Sequence, residues 1–279
     1  MTTPQIVPAD LWGPPRPPRA YGALDLGFAA LVLLAVQTVA GLASLAYELG
    51  AAGTDASQVM DSSLVLLTGM VSMWAVFCGW PWVVARRLGA GLTAVVGPWV
   101  TGHSGALRTV AVSVGLGLAL RAVSLLVDQA AAAAGWTVEG NSDWLTTDRP
   151  WLVGAVLLLG AAVIGPVAEE VFFRGLAMRS IRQTLQRRWA GGSPRSLTAA
   201  SVLVSSVLFG LAHASTLDAD GAVTNPLTAS GVYVVAQTAT IGAVLAVLAL
   251  RRGLVASCAA HVAFNTTGVL LLLATAGAA

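Results

Sequence analysis

Val153–Gly175 reads VGAVLLLGAAVIGPVAEEVFFRG, a run of uncharged residues leading straight into Glu169, Glu170 and Arg174. A helix rising about 1.5 Å per residue needs roughly 20 apolar residues to cross the hydrocarbon of a bilayer. The first part of the stretch belongs in such a helix. Packing in hydrocarbon has no use for two carboxylates and a guanidinium, since an ionisable group placed mid-span costs roughly 2.5–3.5 kcal/mol on insertion scales. The stretch therefore points to a membrane helix bundle and marks where its chemistry lies.

Composition agrees. Of 279 residues, 56% are hydrophobic and 10% charged, against roughly 25% charged in soluble domains. The chain reads as a multi-pass integral membrane protein with lipid as its surrounding partner. Its fifteen basic residues are all arginine and its net charge is only +2, too small to suggest a nucleic-acid partner, and none is expected. Cys78 and Cys258 sit in apolar runs without ligand-like spacing, and they read as two buried thiols rather than a disulfide or a thiolate metal site.

Residues 1–22 carry Pro4, Pro8, Pro14, Pro15, Pro17 and Pro18 and read as a disordered, Pro-rich cytoplasmic tail. Residues 23–149 supply N-terminal transmembrane helices, and 150–279 a catalytic membrane domain. Seven segments are long enough to span, at about 25–47, 64–85, 107–128, 150–170, 196–214, 229–250 and 253–275. Leu88–Thr101 is apolar but short and broken by Gly97 and Pro98, which leaves it as an interfacial or re-entrant piece or an eighth span. The fold class is all-α, a polytopic bundle.

Arginines fall in alternate connections: Arg16 and Arg19, then Arg86, Arg87 and Arg108, then Arg179 to Arg195, then Arg251 and Arg252. The loops with Glu48, Asp55 and Asp61, with Glu139 and Asp143, and with Asp218 and Asp220 are nearly free of them. The positive-inside rule then places the N-terminus in the cytoplasm and the C-terminus outside, in a bacterial plasma membrane. Trp80, Trp82, Trp136, Trp144 and Trp151 sit mostly at segment ends and read as an interfacial belt.

Polar residues in the spans concentrate in EEVFFRG, in VLFGLAHAS with His213, and in CAAHVAFNTTG with His261 and Asn265. Glu170 and Arg174 are four apart and pair along one helix face, whereas Glu169 is turned about 100° away. One carboxylate is neutralised and the other left free. A free carboxylate in a poorly solvated site gains proton affinity, which suits a general base acting on water. His261 and Asn265, also four apart, present donors suited to a developing oxyanion. Phe209 and His213 share a third such stripe.

Each feature has a plainer reading. EEVFFRG can be a salt-bridged helix end, His213 a satisfied histidine at a span end, and His261 with Asn265 an interhelical polar clamp. His103 reads as a loop residue. Arg121, deep in the third segment, snorkels or faces a substrate cavity.

At these residues the chain resembles the type II CAAX-prenyl-protease and bacteriocin-processing (Abi, CPBP) family of intramembrane proteases. The family's motifs are Glu-Glu-x-x-x-Arg, Phe-x-x-x-His and His-x-x-x-Asn, and they stand here as Glu169 to Arg174, Phe209 to His213 and His261 to Asn265. The resemblance implies an intramembrane endopeptidase that cuts a membrane-associated peptide or protein with a glutamate-activated water. Glu169 and His213 would activate the water, His261 and Asn265 would hold the oxyanion, and Glu170, Arg174 and Phe209 would support them. No cofactor is expected. Zinc is the alternative, with Glu169, His213 and His261 as its ligands, but HExxH is absent. Counted along straight helices, Glu169 falls near the cytoplasmic end of its span and His213 near the outer end of the next, so the two would not meet unless Pro166 divides the fourth segment and a helix of about 166–188 is itself partly sunk in the membrane, or the eighth span is real. Rival readings are a catalytically idle scaffold or bacteriocin-immunity protein, and a proton-coupled transporter that lacks the usual internal repeats.

Overall fold

A computed structural model describes residues 21–53, 62–100, 105–135, 151–189, 191–214 and 227–276. Among the described residues there is no strand, and seven helices are long and apolar enough to cross a membrane. In chain order the helices begin with Ala23–Gly50 (α1), Ser63–Leu88 (α2), Leu92–Val96 (α3) and Ala106–Ala133 (α4). A composite helix follows, made of Trp151–Leu159 (α5), the π-helical Gly160–Ile164 (π1), Gly165–Glu169 (α6), the π-helical Glu170–Ala177 (π2) and Met178–Arg188 (α7). Pro194–Ala214 (α8), Ala229–Arg252 (α9) and Leu254–Ala276 (α10) complete the chain. It is an all-α, multi-pass membrane bundle.

The fourth span departs from its expected end at 170: the apolar helix runs from Gly154 to Arg188. The first turns of its polar second half are packed into the bundle. Arg179 and Arg182 are each only 8% exposed, and Arg182 Nε donates to Thr198 Oγ1 at 3.3 Å. A helix with an interior partner for its arginines has no reason to stop where its hydropathy falls.

The described part of the piece at 88–101 holds no helix long enough to cross. It holds only the five-residue α3, whose Val95 and Val96 are fully buried, and it ends at Gly97 with φ of +89°, a left-handed conformation that favours glycine. The backbone then meets α10, whose Leu254 and Val255 N–H groups donate to the carbonyls of Pro98 and Trp99 at 3.2 and 2.9 Å. Those bonds satisfy two of the four donors that a helix N-terminus leaves orphaned.

Residues 1–20 of the expected tail lie outside the described residues, as do His103, Trp136, Trp144 and most of the expected polar loops. Tyr21 is buried, and its hydroxyl donates to Val95 O at 2.9 Å. Burial pushes its pKa up to about 12, so it stays a donor. Asp25 pairs with Arg87, and Arg187 Nη1 donates to Tyr21 O at 3.2 Å. The start of α1 and the arginine-bearing ends of α2 and α7 therefore share one end of the bundle.

Close packing rests on small residues. A Cβ on Gly117 would stand 2.1 Å from Ala260 O, and one on Gly210 2.5 Å from Val235 O, so α4 rides on α10 and α8 on α9 at near-backbone contact. The cysteines correct an expectation: both are free, but Cys78 is exposed and Cys258 half-buried. Cys78 lies on an outward face of α2, where apolar surroundings in the sequence do not mean burial inside the bundle.

Candidate active site

The composite helix, α8 and α10 deliver the motif residues to one place. Glu170 and Arg174 pair at 2.9 Å, with side chains 0% and 2% exposed. The second partner of Glu170 is His261, whose Nδ1 lies 2.9 Å from Glu170 Oε1. An ion-paired carboxylate accepts, so this contact places a proton on His261 Nδ1 and turns Nε2 outward. His213 is held the same way: its Nδ1 donates to Phe209 O at 2.9 Å.

The two outward nitrogens converge on Glu169. His213 Nε2 and His261 Nε2 each stand 3.8 Å from Glu169 Oε2. This is too long for a direct hydrogen bond and suits a shared intervening oxygen. Glu169 Oε2 is itself buried without a partner among the described residues. Glu169 and Glu170 thus share His261 through its two ring nitrogens, which the 100° separation of the carboxylates along the helix did not suggest.

Glu169 and His213 meet because the composite helix is long. Arg188 back to Glu169 and Pro194 on to His213 are equal separations in the α7–α8 hairpin, about 28 Å each at 1.5 Å per residue. The straight-helix count put them at opposite ends only because it stopped the fourth span at 170.

Phe209 is the hub of the site. Its ring lies 4.4 Å from the ring of His213 and 5.8 Å from that of His261, and the Arg174 guanidinium sits over it at 4.1 Å. Phe173, Phe172 and Phe77 extend the stack away from the histidines. Arg174 Nη2 also donates to Gly242 O at 3.3 Å. The guanidinium is therefore held by a carboxylate, an aromatic face and a backbone carbonyl in a place closed to water.

Asn265 is explained by Pro166. Proline has no N–H, so the Ala162 carbonyl loses its α-helical donor, and the π register sends the Gly165 N–H to Gly160 O, which frees Ala161 O. From α10, Asn265 Nδ2 donates to Ala161 O at 3.0 Å and Thr266 Oγ1 to Ala162 O at 3.4 Å. The irregular backbone just before the glutamates is thus completed by the residue four after His261. One Nδ2 hydrogen of Asn265 remains for other use.

Residues 150–267 match the family model described as type II CAAX prenyl endopeptidase Rce1-like. That segment is similar to the Rce1-like family. No curated protein and no solved structure matches the chain. The Rce1-like segment takes in every motif residue and leaves α1 to α4 outside.

Glu169 Oε2 stands equally far from His213 Nε2 and His261 Nε2. A tetrahedral zinc with bonds of about 2.0–2.1 Å holds its ligand atoms about 3.3 Å apart, closer than the 3.8 Å between Glu169 Oε2 and each Nε2. Among the described residues no group of three or more His, Cys, Asp or Glu is placed to hold a metal.

Beside the Rce1-like segment, Arg121 neither snorkels nor stands alone. Its Nε donates to Phe264 O at 3.0 Å and its guanidinium lies 3.7 Å from the centre of the Phe264 ring. A Cβ on Gly268 would come within 2.4 Å of its Nη2. Sequence reading missed the linked cluster of Asp128, Tyr233, Gln237 and Ser124. There Tyr233 donates to Asp128 at 2.6 Å, and Gln237 Nε2 donates to Asp128 and Ser124 at 2.9 and 3.1 Å. A carboxylate and a carboxamide inside apolar segments were the available signal.

Proposed function

We propose that the chain is an intramembrane endopeptidase in which Glu169 activates a water for attack on a peptide carbonyl of a membrane-associated substrate. The observation that carries this reading is the division of labour between neighbours: Glu170 is bound by Arg174 and His261, while Glu169 Oε2 is unpartnered and faces two imidazole nitrogens at equal distance. A base needs a free lone pair within reach of the water it deprotonates. His213 Nε2, with its proton held on Nδ1, accepts from the same water and orients it.

The attacking hydroxide forms a tetrahedral oxyanion, and the proton taken by Glu169 passes to the leaving amine. His261, held at Nδ1 by Glu170, and the remaining Asn265 Nδ2 hydrogen stabilise the oxyanion. Arg174 and Phe209 hold Glu170 and the histidines in place. The transporter and scaffold readings give no reason for two imidazole nitrogens to face one free carboxylate oxygen.

The substrate is a membrane-anchored peptide or protein, and no metal is required. The test is cleavage of membrane-anchored reporter peptides, prenylated C-terminal tails among them, by detergent-purified protein, with products mapped by mass spectrometry. Activity is expected to survive a zinc chelator. Chelator-sensitive activity restored by zinc would make Glu169 and the histidines ligands instead, and no cleavage of any reporter would favour the scaffold.

The N-terminus is proposed to be cytoplasmic. The arginine-bearing ends of α2 and α7 gather around the start of α1, which suits one arginine-rich membrane side. Reporter fusions after Tyr47, Arg87, Arg188 and Arg252 should report outside, inside, inside and inside.

A further inference from the structure

We infer that Trp74, outside the Rce1-like segment, is a further donor to the substrate: its indole Nε1–H holds a peptide carbonyl oxygen beside the scissile bond. This rests on the protease reading above.

Trp74 is carried by α2 and is 8% exposed. Its ring fills a slot cut by two glycines of the composite helix: a Cβ on Gly160 would stand 2.2 Å from the far edge of the ring, and one on Gly165 3.3 Å from Nε1. The slot is made for the indole, yet Nε1 is buried without a hydrogen-bond partner among the described residues. Burying a donor unpaired costs about 1–3 kcal/mol, and such groups in native folds call for an explanation. The contrast lies on the same helix, where Trp80 Nε1 donates to Asp25 O at 2.9 Å.

The location supplies the explanation. Gly165 is one helical turn before Glu169, and helical side chains lean toward the N-terminus, so the Glu169 carboxylate projects over the turn that faces the indole N–H. Trp74 packs in one cluster with Ala168, Phe173 and Phe209, and Phe209 touches both histidines. The histidines approach Glu169 from α8 and α10, and Trp74 approaches the same turn from α2. Two polar atoms are thus buried without a partner among the described residues, the acceptor Glu169 Oε2 and the donor Trp74 Nε1, the second packed beside Gly165, one turn before Glu169 in the chain. An indole N–H is a donor only. What it takes from a peptide backbone is a carbonyl oxygen.

The experiment replaces the Trp74 indole with a benzothiophene of the same shape, in which sulfur stands where the N–H was. Because no hydrogen bond within the fold is lost, Tm should stay level or rise. Because a substrate contact is lost, kcat/KM for a cleaved reporter should fall about tenfold. Trp74→Phe should lower kcat/KM similarly and also lower Tm through lost packing. Met70→Leu, which alters the indole's other neighbour in the slot, should leave kcat/KM unchanged. A benzothiophene variant with wild-type kcat/KM overturns the inference, whether its Tm holds or falls. Failure of the wild type to cleave any reporter overturns the protease reading and this inference together, whereas an active wild type with an equally active variant overturns Trp74 alone.

Discussion

The first helix and the composite helix are both apolar enough to span a bilayer, yet they solve different problems. In α1 only 6% of the most apolar stretch is buried, against half in the composite helix. The first is regular throughout, with Leu31, Leu34 and Leu42 turned outward. The second contains two π segments, a proline and the Glu169–Glu170–Arg174 group. A lipid-facing helix must satisfy its own backbone, because hydrocarbon offers no partners. A helix enclosed by others can borrow them, as the composite helix does from Asn265 and Thr266. Irregular backbone and buried charge are tolerated where neighbours complete them.

The comparison is tested hardest at Glu170. Glu170→Gln leaves Arg174 in a closed site without its counter-charge and loosens His261, so stability is expected to fall by about 3–5 kcal/mol, read as a lower Tm and poor yield. A variant that melts like the wild type would mean that the enclosed helix does not depend on its ion pair.

Next is Glu169→Gln, which keeps size and hydrogen bonding but cannot take a proton. Reporter hydrolysis should drop at least about a hundredfold, the usual contribution of a positioned base, with Tm nearly unchanged. If this variant still cleaves while Glu170→Gln is stable and inactive, the roles of the neighbours are reversed.

Gly160→Ala sharpens the point about packing. The added methyl would overlap the Trp74 ring, an overpacking expected to cost about 1–3 kcal/mol by thermal melting. Gly27→Ala in α1 meets nothing within 4 Å and should leave Tm level or slightly higher. Smallest of all, Leu34→Ala on the outward face of α1 should change stability by no more than about 0.5 kcal/mol and leave cleavage unaltered. A large loss there would mean that this face is covered by a partner.

Much of this was legible in the residues. Seven spans follow from hydropathy because the bilayer sets a length any apolar helix must meet, and the Glu170–Arg174 pair follows from a spacing of four. The three motifs identify the polar groups, since hydrocarbon makes any such group conspicuous. The length of the fourth span was legible only as one of two alternatives, because Arg179 and Arg182 look like a cytoplasmic end until α3 and α8 surround them. Trp74 was hidden for the opposite reason: among nine tryptophans, nothing local separates a belt residue from one wedged against two glycines.

The sequence by itself determined a helical membrane bundle and which polar residues it must shelter, because both depend on the cost of moving groups into hydrocarbon, a property each residue carries alone. Only the tertiary structure decided that Glu169 faces His213 and His261, that Asn265 completes the backbone opened by Pro166, and that Arg121 is held by Phe264. Those contacts join residues far apart in the chain, and they depend on the relative heights and rotations of helices, which close packing at Gly117, Gly160 and Gly210 sets.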